Sequence, residues 1–286
     1  MSNSLNNDSA FESSMDKYEE ISNFWLWYPD LALDLMAPKE GGIKLHSDQR
    51  IFMRCGARFF SEYGCFPRGW GKTFAEVATM VITAIRYPNI EIGLTAQTKE
   101  NAASLLKDKY NELVRYYPML LNEIKKTSFV KGDALIVFKN DARIDALANA
   151  QSSKGQRRKR LNIEESNLMD NVTFEDALEP VVEVGRITTG KLAITNPEEL
   201  NQQINFFTTP GFRGSDEYRR SLQMIQDMRD LKGKIVLGSD WMLGCWYGRG
   251  SSKSTILKKK RDSSPIAFDM NLSLIHISEP TRLRCI

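Results

Sequence analysis

The chain has 286 residues, 42% of them hydrophobic, so it can bury a sizeable core and has length for one large domain or two smaller ones. Its formal charge of +3 is too small to mark a nucleic-acid binder, and no stretch approaches the roughly 18 uninterrupted apolar residues that span a bilayer. A polar, acidic N-terminus without a secretory pattern, and four scattered cysteines (Cys55, Cys65, Cys245, Cys285) without a C-x-x-C pair, argue against export, zinc and a disulfide framework, so a cytoplasmic protein is expected.

Residues 1–40 combine a polar lead with the aromatic patch Phe24, Trp25, Trp27 and Tyr28, and Pro38, Gly41 and Gly42 break any helix there; they read as an N-terminal helical appendage. An apolar run over 59–66 predicts a strand. Phe74, Val77, Ala78, Val81, Ile82 and Ile85 recur at three and four and predict a helix that Pro88 stops. A strand over 90–95 and a second amphipathic helix over 102–117 follow, and strand, helix, strand, helix is the pattern of a parallel sheet. Residues 134–138 and 143–147 read as a hairpin turning through Lys139, Asn140 and Asp141, and 160–163, 191–195 and 205–209 as later strands. The helix after the last opens near Ser215, an acceptable N-cap, and is expected to carry Tyr218, Leu222, Ile225 and Met228 inward. Basic residues cluster at 157–160 and 258–261, and no internal repeat is visible.

The central feature is Phe66-Pro67-Arg68-Gly69-Trp70-Gly71-Lys72-Thr73, lying between a predicted strand and a strongly periodic helix. A turn from strand to helix presents backbone N–H groups and the positive end of the helix dipole to phosphates. Lys72 adds a point charge for the β and γ oxygens, Thr73 a hydroxyl for Mg²⁺, and Gly71 lets phosphate approach the backbone. Phe66 stands where G-x-x-x-x-G-K-[ST] has its first glycine.

Arg-Gly-Trp-Gly-Lys-Thr, with an arginine four residues before the lysine and no leading glycine, resembles the variant loop of bacteriophage large terminase subunits. The resemblance covers about residues 20–271 and implies further parts in a fixed order. Residues 160–163 leading to Glu164 and Glu165 look like the strand that ends in an acidic pair, Glu164 for the metal and Glu165 to position the attacking water; alternation along a strand would let neighbours at its tip serve the two separately. Thr208 and Thr209 resemble the coupling segment that senses the γ-phosphate. Gln49 resembles the adenine-reading glutamine, with His46 beside it as packing. Arg68 has two readings, an arginine finger in cis or in trans and a partner for a carboxylate beside the loop. Gly69 and Trp70 complete the loop.

Residues 272–282 resemble a translated sequencing adapter, so 272–286 are expected to be an artefact that carries no function. The expected organisation is an appendage (1–40), an α/β P-loop NTPase domain with a mainly parallel sheet flanked by helices (41–234), and a linker subdomain (235–271) before a nuclease domain that this chain lacks. The resemblance implies ATP and Mg²⁺ as cofactors, double-stranded DNA as polymer substrate with residues 157–160 as candidate contacts, and the portal protein and small terminase subunit as partners. It further implies self-association in a ring and a place in the host cytoplasm and at the procapsid portal vertex; endonuclease activity, a property of the missing domain, is not expected of this chain. A helicase-like ATPase and a non-hydrolysing nucleotide-binding assembly module are the alternatives.

Overall fold

A computed structural model describes residues 17, 21, 24–186, 199–248 and 251–272. The strands are β1 (Ser61–Cys65), β2 (Glu91–Thr95), β3 (Ile124–Val130), β4 (Asp133–Phe138), β5 (Arg143–Leu147), β6 (Arg160–Glu164), β7 (Gln203–Thr208) and β8 (Lys234–Gly238), in one eight-stranded sheet ordered β3-β4-β5-β2-β6-β7-β1-β8; β3 and β8 were not expected. From β5 across to β8 every neighbouring pair is parallel, while β4 runs antiparallel to β5 and β3 to β4. Parallel neighbours need long crossovers, and covering helices make both faces apolar. That arrangement explains why β1 and β6 are buried at every position.

The helices are α1 (Pro29–Met36), α2 (Ser47–Arg58), α3 (Lys72–Arg86), α4 (Lys99–Tyr116), α5 (Asp216–Arg229), α6 (Trp241–Trp246), α7 (Lys253–Asp262) and α8 (Pro265–Leu272). One hydrophobic cluster unites α1 to α4 with β2, β4 and β5, and a second gathers Tyr63, Leu161, Ile163, Leu178, Val182, Phe206 and Met224. α3 is the central helix: Val77, Ala78, Val81 and Ala84 are at most 1% exposed. α1, in the segment expected to be an appendage, shares the main cluster and docks on α2 through Asp30, fully buried and bonded to Arg50 (3.0 Å) and Arg54 (2.8 Å). Asn162, a polar residue inside β6, accepts from Asn205 Nδ2 (3.0 Å), and Asn205 Oδ1 accepts from the Glu62 amide (3.0 Å), so this buried amide pair is satisfied.

Several expectations change. The boundary at 235 falls inside β8, which pairs with β1 along its whole length, so the sheet continues to Gly238. α5 turns a different face inward: Glu217, Ser221, Met224 and Asp227 are buried, whereas Leu222 and Ile225 are exposed. Polar partners decide this, because Glu217 accepts from Ser166 (2.8 Å) and pairs with Arg220 (2.6 Å), and Asp227 pairs with Lys234 (2.7 Å) and Lys232 (2.9 Å). In the first basic cluster, Arg158 is buried against Asp145, and Arg160 is buried over the Tyr87 ring and bonded to Gln203 (3.3 Å). These two arginines hold the sheet and do not face solvent. The strand expected over 191–195 and residues 273–286 lie outside the described residues. Among the described residues no helix is long and apolar enough to cross a membrane.

Candidate active site

β1 ends at Cys65, and the chain turns through 66–71 into α3. Gly69 (φ +85°) and Gly71 (φ +89°) take left-handed conformations that favour glycine, and a Cβ on Gly71 would lie 2.9 Å from Gln49 Nε2. Gly71 is the N-cap of α3, and no side chain caps it. The amides of the first turn and the positive end of the helix therefore face the cleft, the arrangement that binds anions.

Phe66 explains the missing first glycine. Its ring stacks on Trp70 (centroids 4.0 Å, 20°) and meets Phe52, and both Phe66 and Trp70 are buried. The Trp70 indole N–H donates to Asp48 Oδ2 (2.8 Å), so an aromatic plug anchored to α2 holds the loop from behind. Sequence reasoning missed this contact.

Lys72 Nζ lies 2.5 Å from Glu164 Oε2, and Thr73 Oγ1 donates to Glu164 Oε1 at 2.5 Å. The end of β6 thus meets the loop over 66–71 and the head of α3, with β7 between β6 and β1. Burial alone would raise the Glu164 pKa, but the Lys72 ammonium and hydrogen bonds outweigh it and hold the carboxyl below the usual carboxylate range. Glu76, one turn beyond Lys72 on α3, is 1% exposed, and neither of its oxygens receives a hydrogen bond. Burial, reinforced by the neighbouring Glu164 charge, pushes its pKa well above the usual range, opposite in direction to Glu164. Its spacing of four from Lys72 was the available sequence signal.

The cleft has a volume of about 530 Å³, and Arg68, Gly69, Trp70, Gly71, Lys72, Thr73, Glu164, Glu165 and Thr209 all line it. Glu165 reaches it by an unexpected route. Alternation would send it to the opposite face of the sheet from Glu164, but β6 stops at Glu164 and Glu165 is left-handed (φ +53°), exposed at the strand tip. Lys109 and Asn167 also line the cleft and were not singled out from sequence. Arg68 is exposed, and its guanidinium makes no ion pair among the described residues, so the expected alternative of a carboxylate beside the loop is not found.

Two expected residues do not face the cleft. Thr208 is fully buried, with its hydroxyl donating to the Thr209 carbonyl (2.8 Å), and adjacent strand residues point to opposite sides, which leaves Thr209 alone on the lining. Gln49 is 7% exposed: its Oε1 accepts from the His46 amide (3.1 Å) in a capping box at the start of α2, and its Nε2 lies on the Gly71 side, beside the loop and not on the cleft lining. The His46 ring packs on Tyr247 (4.9 Å).

A search of family models matches none to this chain, and no curated protein sequence matches it. Solved structures do. The large terminase from a thermophilic bacteriophage superposes with a TM-score of 0.62 at 10% identity, over 82% of this chain and 54% of that one. The HK97 bacteriophage large terminase gives 0.60 at 15% identity, over 85% and 53%. The Thermus phage P74-26 large terminase ATPase domain gives 0.55 at 12% identity, over 82% and 94%. The first of these proteins has also been solved with ATP-γ-S and with ADP. The chain therefore spans about half the length of the first two proteins and nearly all of the P74-26 ATPase domain. At these identities the likeness establishes the fold alone: a mainly parallel α/β sheet flanked by helices, of the kind found in large terminase ATPase domains.

Proposed function

We propose that this chain is the ATPase motor of a viral DNA-packaging terminase, hydrolysing ATP to move double-stranded DNA into a procapsid. The observation that carries the proposal is the meeting of Lys72, Thr73 and Glu164 at the uncapped head of α3, on a fold shared with large terminase ATPase domains. The complexes of the thermophilic bacteriophage terminase with ATP-γ-S and ADP support an adenine nucleotide as ligand.

The Thr73 hydroxyl and the Glu164 carboxylate are hard oxygen donors side by side, which suits Mg²⁺ alongside nucleotide phosphates and water. When bound, the metal would neutralise charge on the β and γ oxygens. The remaining work falls to the protein. Loop amides and the α3 dipole bind the phosphate chain, and Lys72 exchanges its Glu164 contact for a phosphate oxygen. Glu165, exposed at the strand tip, accepts a hydrogen bond from the attacking water and orients it. Arg68 adds positive charge to the transferred phosphoryl group, in cis or across a ring of subunits. Thr209 lines the same cleft from the end of β7 and relays the phosphate state.

On this proposal the partners are DNA phosphates without sequence choice, the portal protein, the small terminase subunit and further copies of the chain, with work done in the host cytoplasm at the portal vertex. With Arg158 and Arg160 buried, Arg157 and Lys159 remain of the candidate contacts at 157–160, and the exposed basic residues of α7, Lys258 to Arg261, join them. Steady-state ATP hydrolysis with Mg²⁺ and DNA tests the assignment. Lys72→Ala should lose both binding and turnover, and Glu165→Gln should still bind nucleotide while turnover falls about 100-fold or more. Undiminished turnover in a folded Glu165→Gln protein would remove Glu165 from the mechanism.

A further inference from the structure

One wall of the cleft comes from α4. Leu105 and Lys109, four residues apart and so on one face of that helix, line it together with the loop and the tip of β6. The helix is firmly seated. Ala102, Leu106 and Leu113 are at most 1% exposed, the Tyr110 ring packs on Phe129 (5.5 Å), and Tyr116 meets Phe74, in the first turn of α3, edge to face (6.3 Å, 78°). Lys109 is therefore carried on a fixed element beside the head of α3, and its own side-chain torsions decide where its ammonium goes.

That ammonium lies 2.7 Å from Glu112 Oε2, on the same helix at a spacing of three. The two side chains are 31% and 33% exposed, and the pair runs lysine first, the weaker order along a helix, so a stronger anion competes with it readily. The charges that line the cleft supply the reason for such an anion to win. Glu164 and Glu165 are matched in number by Arg68 and Lys72, and Lys72 is itself held by Glu164 at 2.5 Å. Lys109 is the third cation of the lining and turns the balance positive. A terminal phosphate carries roughly two negative charges near pH 7, and a cleft without net charge would attract it poorly before a metal ion arrives.

We propose that Lys109 is a phosphate-binding residue: on nucleotide binding its ammonium leaves Glu112 and pairs with a phosphate oxygen of the triphosphate held by residues 66–73. The proposal rests on the reading of those residues as a phosphate loop. Lys72 and Lys109 then do the same chemistry from two walls of one cleft, and Glu112 is a competitor that the nucleotide has to displace.

Lys109→Gln and Glu112→Gln break the same surface ion pair, so a purely structural role for Lys109 predicts that both change ATP affinity equally. Phosphate binding predicts opposite signs. In titration calorimetry of ATP with Mg²⁺ on the full chain, Lys109→Gln is expected to weaken binding about tenfold and Lys109→Arg to stay within about threefold of wild type. Glu112→Gln should tighten binding about twofold, because the lysine is no longer held back. Folded Lys109→Gln protein with wild-type affinity, or equal losses in Lys109→Gln and Glu112→Gln, would overturn the role of Lys109 while leaving the loop in place, which Lys72→Ala tests separately. Wild-type protein that binds no ATP would overturn the loop reading as well.

Discussion

Glu62, Glu76 and Glu164 are three buried carboxyls, each at most 2% exposed, yet only Glu164 is held below the usual pKa range, because only it meets the Lys72 ammonium and the Thr73 hydroxyl. Burial pushes Glu62 well above that range, and one of its oxygens has no hydrogen-bond partner. A raised folded pKa means that Glu62 supports folding fully below its unfolded pKa and that this contribution is lost as pH rises toward the folded value. Glu62→Gln keeps the shape and removes the ionisable proton. The variant should therefore melt a few degrees above wild type at pH 8, at roughly 2–4 °C per kcal/mol, with the gap closing near pH 4. A melting difference that does not change with pH would contradict this.

At the scale of elements, the joint between α1 and α2 depends on Asp30. Burial works against its ionisation, but hydrogen bonds from Arg54 and Arg50 prevail and hold the carboxyl below its ordinary value. With a depressed folded pKa, the stabilisation is present above the unfolded carboxylate pKa and is lost as pH falls through the folded one. Asp30→Asn should cost on the order of 2–4 kcal/mol in urea unfolding, since it leaves two guanidinium groups facing a neutral side chain. Asp34→Asn, at a half-exposed partner of Arg50, should cost under about 1 kcal/mol. Equal losses would mean that the buried position of Asp30 is not what matters.

The same scale shows what could be read from the chain. β1, α3, β2, α4, the hairpin of β4 and β5, β6 and β7 follow from apolar periodicity because each buries a full face. β3 escaped because it is a polar outer strand whose Lys125, Lys126 and Thr127 are exposed, and β8 because it is only half-buried at the other edge. The buried face of α5 was misread because ion pairs, not apolar residues, determine it. In the site, the glycine-bearing turn at 66–73 and the acidic pair at the end of β6 were legible as a pattern. The plug of Phe66 and Trp70, the turn at Glu165 and the commitment of Gln49 to a helix cap depend on contacts and torsions that no local pattern encodes.

For the whole molecule, the sheet order is what makes one site out of distant segments. β1 lies between β7 and β8, and β6 lies next to β7, so residues 66–73, Glu164, Glu165 and Thr209 converge at the carboxyl edge although they span about half of the chain. The central claim is that this edge holds a nucleoside triphosphate. It is tested most directly by equilibrium binding of ATP with Mg²⁺ to the folded chain, beside Lys72→Ala. The account predicts saturable one-to-one binding by wild type, and at least tenfold weaker binding by a Lys72→Ala protein with an unchanged circular dichroism spectrum. Equal affinity in the two proteins, or no binding by folded wild type, would contradict it.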